Sequence, residues 1–329
     1  MAIAGIRLGR AEWLPALRVG ISVTVPLVLA AASGRLDLAL YAVFGAMASI
    51  YGRQGTHADR AVMQLSAAGV QVGAVVLGVV TSAATSSPWP AVVGVGVVAA
   101  LAADISDVRR WRPPGALFAV FAYGASAAAP ATWATVLVAL AVSAGAAAFA
   151  LAVGAVGGLV ATHRRSGTTS MRPPVRPELL RRHAVGAAVA ATAAMALATA
   201  WGSPHAYWAA VAAVVPLAAA DVRGRLRRAW QRFAGTLVGL VVAALLLAAQ
   251  PGEWTVVALV AVLQVATELV VIQRYALAMV FITPMALLMT YLGRGSSEGL
   301  VLDRAATTAI GVLVGVAVIL VQHDRRTEW

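Results

Sequence analysis

The chain contains no cysteine. Disulfides, thiolate metal sites and Cys nucleophiles are therefore excluded. It contains no lysine either, so all 25 basic residues are Arg. Arg and Lys do similar electrostatic work at a membrane surface, and the absence reads as a GC-rich coding sequence rather than a functional signal. Charge of both signs is scarce, at 12% of residues, about half of what a soluble domain carries. Against that stand 61% apolar residues in a chain of 329 and a mean hydropathy of +0.85. So little polar surface cannot cover so much apolar side chain, which excludes a soluble globular protein and a disordered one. The composition specifies an all-α polytopic membrane protein.

Twelve apolar stretches can be marked, at about 13–33, 38–52, 62–84, 89–103, 114–130, 132–161, 184–203, 206–220, 233–250, 254–271, 275–293 and 300–322. Twelve spans of about 20 residues occupy most of the chain and leave no room for a sizeable soluble domain. The leading segment carries only Arg7 and Arg10 and is too short for a cleavable signal peptide, so the first run reads as a retained span. With the N-terminus inside, every Arg except Arg35, Arg294 and Arg304 falls on the inner side. That split satisfies the positive-inside rule, and one missed span would invert every later loop. The expected location is the cytoplasmic membrane, with both termini cytoplasmic. The net charge of +12 is thereby a topology signal, and nucleic acid is not expected as a partner. The polar stretch 163–183 reads as a basic cytoplasmic linker between a first six-helix half, 1–162, and a second, 184–329.

The halves resemble each other. Displacing the chain along itself pairs Gly20 with Gly186, Tyr41 with Tyr207, Gly69 with Gly235 and Gly73 with Gly239; a slightly different displacement pairs Asp104 with Glu268 and Arg110 with Arg274. Because six is even, both halves enter from the same side, and the predicted layout is two parallel six-helix repeats related by an axis along the membrane normal. The apolar runs between Asp37 and Arg53 and between His205 and Asp221 are each shorter than the roughly 17–25 residues of an ordinary span. Short segments in matching positions point to a transport site, or to helices sheltered by their neighbours. Gly69/Gly73, Gly154/Gly158, Gly235/Gly239 and Gly311/Gly315 have the four-residue spacing that lets another helix approach, and read as packing positions.

Several polar residues sit at or in the spans. Arg228, Arg232 and Arg60 open spans from the inside and either face a cavity, where they would concentrate anions at an inner mouth, or snorkel to the surface. Arg304 is either an exit-side anion contact or a surface partner of Asp303. Asp104 and Glu268, each six residues before Arg110 or Arg274, either carry a coupling proton or pair with those Arg residues. Tyr207 and Trp208 read as interfacial anchors or as stacking partners for an aromatic solute. Thr283-Pro284 marks a kink in the eleventh span.

Four stretches of the second half, PHAYWAA at 204–210, RLRRAWQRFAGTLVG at 225–239, RYALAMVFITPMALLM at 274–289 and RAATTAIGVLVG at 304–315, resemble the FUSC family of fusaric acid resistance and aromatic acid exporter-like membrane proteins. The resemblance covers about 183–320, the first half matching as a weaker copy. It implies export of organic anions, aromatic carboxylic acids especially, and a likeness to plant aluminium-activated malate transporters, in which two six-span subunits enclose an Arg-lined pore. On this resemblance Arg232, Gly235, Tyr207, Trp208, Tyr275, Thr283 and Arg304 are the positions to test. One departure is that larger members carry a substantial cytoplasmic domain after six spans, where this chain has only the short linker.

Two rivals remain in view. A major-facilitator transporter also has six plus six spans, but its Gly-x-x-x-Asp-Arg-x-Gly-Arg-Arg loop is not matched by SIYGRQGTHADRAVMQ at 49–64. An intramembrane enzyme would need a motif such as His-Glu-x-x-His, which is absent, or two Asp-rich runs, of which DISD at 104–107 supplies one. The expectation is a transporter rather than an enzyme, with no cofactor, no metal, a small organic anion and the lipid bilayer as partners, and a homo-oligomer left open.

Overall fold

The computed structural model describes residues 2–3, 6–7, 10–53, 56–160, 177–219, 221–294 and 299–324. Among them are twelve α-helices: α1 (Arg10–Ala32), α2 (Ala39–Ala46), α3 (His57–Ala84), α4 (Trp89–Val108), α5 (Leu117–Ala128), α6 (Trp133–Val160), α7 (Pro177–Ala200), α8 (Tyr207–Val214), α9 (Val222–Ala248), α10 (Glu253–Val270), α11 (Tyr275–Arg294) and α12 (Leu300–Asp324). Extended pairing among the described residues is a two-residue antiparallel ladder, Ala2–Ile3 with Ile6–Arg7. Among the described residues nine helices are long and apolar enough to cross a membrane. The other three apolar segments, Leu36–Ile50, Leu117–Ala128 and Tyr207–Ala218, are shorter.

Local chemistry sets the boundaries. Thr56 accepts from the Asp59 amide at 3.1 Å and its own amide donates to Asp59 Oδ2 at 3.3 Å, a reciprocal cap that starts α3. The Asp221 carboxylate accepts from the Gly224 amide and starts α9. The helix therefore begins a full ten residues before Arg232, which the apolar-run reading put at the start of its span. Likewise α7 takes in Pro177–His183, which that reading gave to the linker; 161–176 lie outside the described residues. At the opposite end of the bundle α1 and α7 stop in the same way. Gly34 and Gly202 take φ of +65° and +88°, and the crossed bonds Arg35 N to Ala30 O (2.8 Å) with Gly34 N to Ala31 O (3.0 Å) recur as Ser203 N to Ala198 O (3.0 Å) with Gly202 N to Thr199 O (2.9 Å). Only glycine adopts this left-handed cap without strain.

The two broken segments also match. α2 gives way to a 3₁₀ turn at Met47–Ile50, and α8 to one at Pro216–Ala218, where Pro216 cannot continue the α-helical ladder. Both short helices are buried almost throughout. They need no lipid-spanning length because α6 covers one and α12 the other. Within the first half α3 packs on α5 and α6, and α1 on α2 and α6; within the second, α9 packs on α11 and α12, and α7 on α8 and α12. The halves meet where α1 lies on α10 and α4 on α7.

The core is built of small residues, while large ones such as Leu137, Leu245, Leu302 and Leu313 are exposed. That inverts a soluble protein and suits a bundle whose solvent is lipid. Exposed Trp89, Trp133, Trp201 and Trp254 all stand at one end, at the starts of α4, α6 and α10 and just past α7, as in a membrane-interface belt. The protein is a multi-pass integral membrane protein.

The paired glycines differ in what they meet. A Cβ at Gly235 would overlap the Ala276 carbonyl, and one at Gly311 the Ala209 carbonyl, so α9 meets α11 and α12 meets α8 at backbone distance; Gly239 and Gly315 sit against Thr283 and Ala213. Gly69 and Gly73, expected to do the same for α3, meet nothing within 4 Å. The first half makes its close approaches instead at Gly78 against Tyr123 and Gly45 against Ser143, and Gly154 faces Gln64. Replacing Gly311 with Leu is expected to cost about 3 kcal/mol or more, since backbone cannot yield, whereas Gly69→Leu is expected to stay within about 0.5 kcal/mol. Thermal melts of the two variants in one detergent would decide, and equal losses would contradict the packing just described.

Candidate functional site

A cavity of about 1580 Å³ runs between the halves. Its lining includes Arg35, Asp37, Thr135 and His205 at the end marked by the Trp belt, and Arg53, Asp107, His183 and Arg228 at the other, so it reaches along the bundle from end to end. Its waist is aromatic and apolar. Phe44 of α2 lies edge-on to Phe121 of α5 with centroids 5.0 Å apart, and Phe121 stacks on Tyr207 of α8 at 5.9 Å. The two short helices thus place their side chains on one wall.

Arg232 and Arg304 line this cavity, and both are buried, at 3% and 2% exposure. Arg232 lies ten residues into α9, about 15 Å along its axis. Its Nη1 donates to the Tyr275 hydroxyl over a long 3.4 Å and contacts Met279 Sδ at 3.8 Å, and its Nε has no partner. Arg304, in the first turns of α12, has its guanidinium 4.8 Å from the ring centroid of Trp208, with Nε and Nη1 unpartnered. The two charges repel each other across the cavity. Among the described residues neither forms an ion pair with a carboxylate. Arg228 lies 4.2 Å over the Tyr275 ring, so that Tyr275 is held by one Arg on its face and another at its hydroxyl. Each buried donor left unmade costs about 1–3 kcal/mol, and an anion would satisfy several at once.

A second polar cluster lies between α1, α10 and Arg53, three residues past the 3₁₀ turn that follows α2. Arg53 donates through Nη1 to the Glu268 backbone carbonyl at 2.7 Å and to its carboxylate at 3.4 Å, and through Nη2 to the Glu12 carbonyl at 3.2 Å. Gln264 donates to the other Glu268 oxygen at 3.3 Å. Arg18 donates to the Ser49 carbonyl at 3.2 Å and interacts electrostatically with Glu268. Its guanidinium is therefore folded inward rather than snorkelling to the surface.

The structure brings together Arg228, Arg232, Arg304, Tyr207, Tyr275, Glu268 and Arg110 on one cavity. The others stand apart from it. Arg60 is turned to the Gly154 carbonyl at 3.0 Å and to His57 Nδ1. Trp208 lies behind the wall, carrying Arg304 on its ring. Thr283 donates to the Met279 carbonyl at 2.8 Å, and α11 continues unbroken through Pro284. Asp104 and Arg274 are exposed. Glu268 of α10 is ion-paired with Arg53, 215 positions away in the chain. On α4 the paired acid is Asp107, with His183 of α7, rather than Asp104. Sequence spacing carried no signal for these cross-half partners, nor for His205 with Asp303, which join residues far apart in the chain.

A search of curated proteins finds similarity to the uncharacterized membrane protein YvaC of Bacillus subtilis (strain 168), 33% identical over 93 residues. Those residues make up 28% of this chain and only 15% of that protein. No solved structure matches the chain. Residues 192–318, a stretch from the last third of α7 into α12, match the family model described as fusaric acid resistance protein-like.

Proposed function

We propose that this protein is a transporter that exports organic anions, aromatic carboxylates in particular, along the cavity between two six-helix repeats. On this reading all twelve helices lie across the cytoplasmic membrane, the three short ones sheltered inside the bundle, and both termini are cytoplasmic. The repeat reading is supported by the matched glycine caps after α1 and α7, by the matched breaks after α2 and α8, and by contacts that exchange as pairs when the halves are swapped, α1 on α10 for α7 on α4 among them.

The observation that carries the functional reading is the pair of buried guanidinium groups, Arg232 and Arg304, whose unpartnered N–H donors share one cavity with aromatic walls. A carboxylate suits those donors because charge-assisted bonds to guanidinium are strong and directional. An aromatic ring suits Phe44, Phe121 and Tyr207, where it would stack. The matched family's description concerns resistance to fusaric acid, and small aromatic acids agree with both halves of this chemistry. Inverted membrane vesicles containing the protein are expected to accumulate labelled benzoate above vesicles without it. Equal accumulation in both, repeated over a broad panel of organic anions, would end the proposal.

A further inference from the structure

At the Trp-belt end of the cavity a cluster of side chains goes beyond what guanidinium recognition requires. Asp303, in the first turn of α12, accepts from Ser203 Oγ at 2.6 Å through Oδ1 and contacts His205 Nδ1 at 2.7 Å through Oδ2. A carboxylate can only accept, so the proton of that contact sits on Nδ1, and a neutral ring presents a bare lone pair at Nε2. That Nε2 is buried and has no partner, and His205 lines the cavity. Its ring stacks on Trp208 at 4.4 Å and 13°, the same indole that carries Arg304. Arg304 Nε and Nη1 and Trp208 Nε1 are the other unpartnered polar atoms of the cluster. Every atom there is a donor except the one at His205.

A carboxylate brought to Arg304 meets that lone pair with its own, which is repulsive. A proton added at Nε2 reverses the contact, making a donor of it, while Asp303 balances the imidazolium at Nδ1. We propose that His205 is a proton-binding group that co-binds with the substrate carboxylate beside Arg304, so that anion and proton occupy the site as a pair. This rests on the anion reading of the same cavity. The charged and titratable neighbours on the packed elements are Asp303 and Arg304 of α12, Tyr207 of α8, and, across the cavity, Arg232 of α9 and Tyr275 of α11. The last turns of α7 carry no charged side chain, and α5 presents Phe121. No covalent bond to carbon forms or breaks; water supplies the proton, and it leaves with the anion.

Because proton and carboxylate favour each other's binding, anion affinity must fall as pH rises. The test is calorimetric titration of benzoate into the full chain in lipid nanodiscs at about pH 6 and about pH 8, a range in which His changes charge and benzoate, a carboxylate, stays ionised. Affinity is expected to drop by about tenfold between them, with proton uptake visible as a dependence of the heat on buffer ionisation. His205→Gln is expected to bind benzoate with neither the slope nor the uptake. Asp303→Asn, which removes the balance at Nδ1, is expected to diminish both and serves if the first variant does not fold. A wild-type affinity that is flat in pH, or an undiminished slope in His205→Gln, overturns the coupling while leaving anion binding intact. Absence of benzoate binding at either pH removes the anion reading and this inference with it.

Discussion

Replacing Arg232 with Met is expected to cut benzoate flux about 10- to 100-fold while raising the melting temperature of the empty protein. The two effects have one cause. Arg232 is 3% exposed, and a long bond to the Tyr275 hydroxyl and a thioether contact are its hydrogen bonds. A buried charge held this poorly costs stability, and exchanging it for an apolar side chain of similar volume is typically neutral or stabilising by about 1–4 kcal/mol. Removing its repulsion on Arg304 adds to the gain. With a carboxylate bound the balance turns over, since one charge-assisted bond contributes about 1.5–3 kcal/mol, and each ~1.4 kcal/mol is a factor of ten. Vesicle uptake gives the first number and a thermal melt in detergent the second. A variant that melts lower and transports normally would mean that Arg232 is a structural cation.

Removal of Arg53 should act in the opposite sense. Arg53→Ala is expected to destabilise the protein by about 3–5 kcal/mol, because it strands the Glu268 carboxylate, whose side chain is 6% exposed, between α10 and α1. Glu268→Gln should be milder. Arg53 would then keep its bonds to the backbone carbonyls of residues 268 and 12, at 2.7 and 3.2 Å, so no charge is left without acceptors. Combining Arg53→Met with Glu268→Leu should recover most of the loss, as removing both partners of a buried pair often does. Unfolding in bicelles would rank the three. If Glu268→Gln proved the most damaging, Arg53 rather than Glu268 would be the residue that depends on the pair.

Lipid-spanning helices were legible in the sequence because length and apolarity define them with little help from tertiary context, and the starts of α4, α6, α10, α11 and α12 fall close to where the apolar runs begin. α7 and α9 were misjudged at their starts. Their first turns are rich in Arg and look like loop, yet Pro177 and the Asp221 cap begin a helix there. At the site, the second-half motifs pointed to Arg232, Arg304, Tyr207 and Tyr275, which do converge. Their depth was not readable. The sequence leaves Arg232 between an inner mouth and snorkelling, and Arg304 between an exit and a surface pair with Asp303, whereas both line one cavity and are buried. Glycine spacing misled in α3, because Gly69 and Gly73 share a face without saying what that face meets. Pairings such as Arg53 with Glu268 depend on how the halves are laid together, which no local pattern encodes.

The laying of α1 on α10 and α4 on α7 has a consequence for synthesis. A ribosome finishes α1 long before α10 exists, and α4 before α7. The side chains that α4 buries are mostly apolar, Ala91, Val95, Val98, Ala99 and Ala102 among them, and acyl chains can cover them in the interval. Arg18 and Arg53 have only the carbonyls of Ser49 and Glu12, and no opposite charge, until Glu268 emerges. A nascent chain halted between α6 and α10 would therefore hold two guanidinium groups waiting for their acid, and that stage is where insertion machinery or chaperones have most to do.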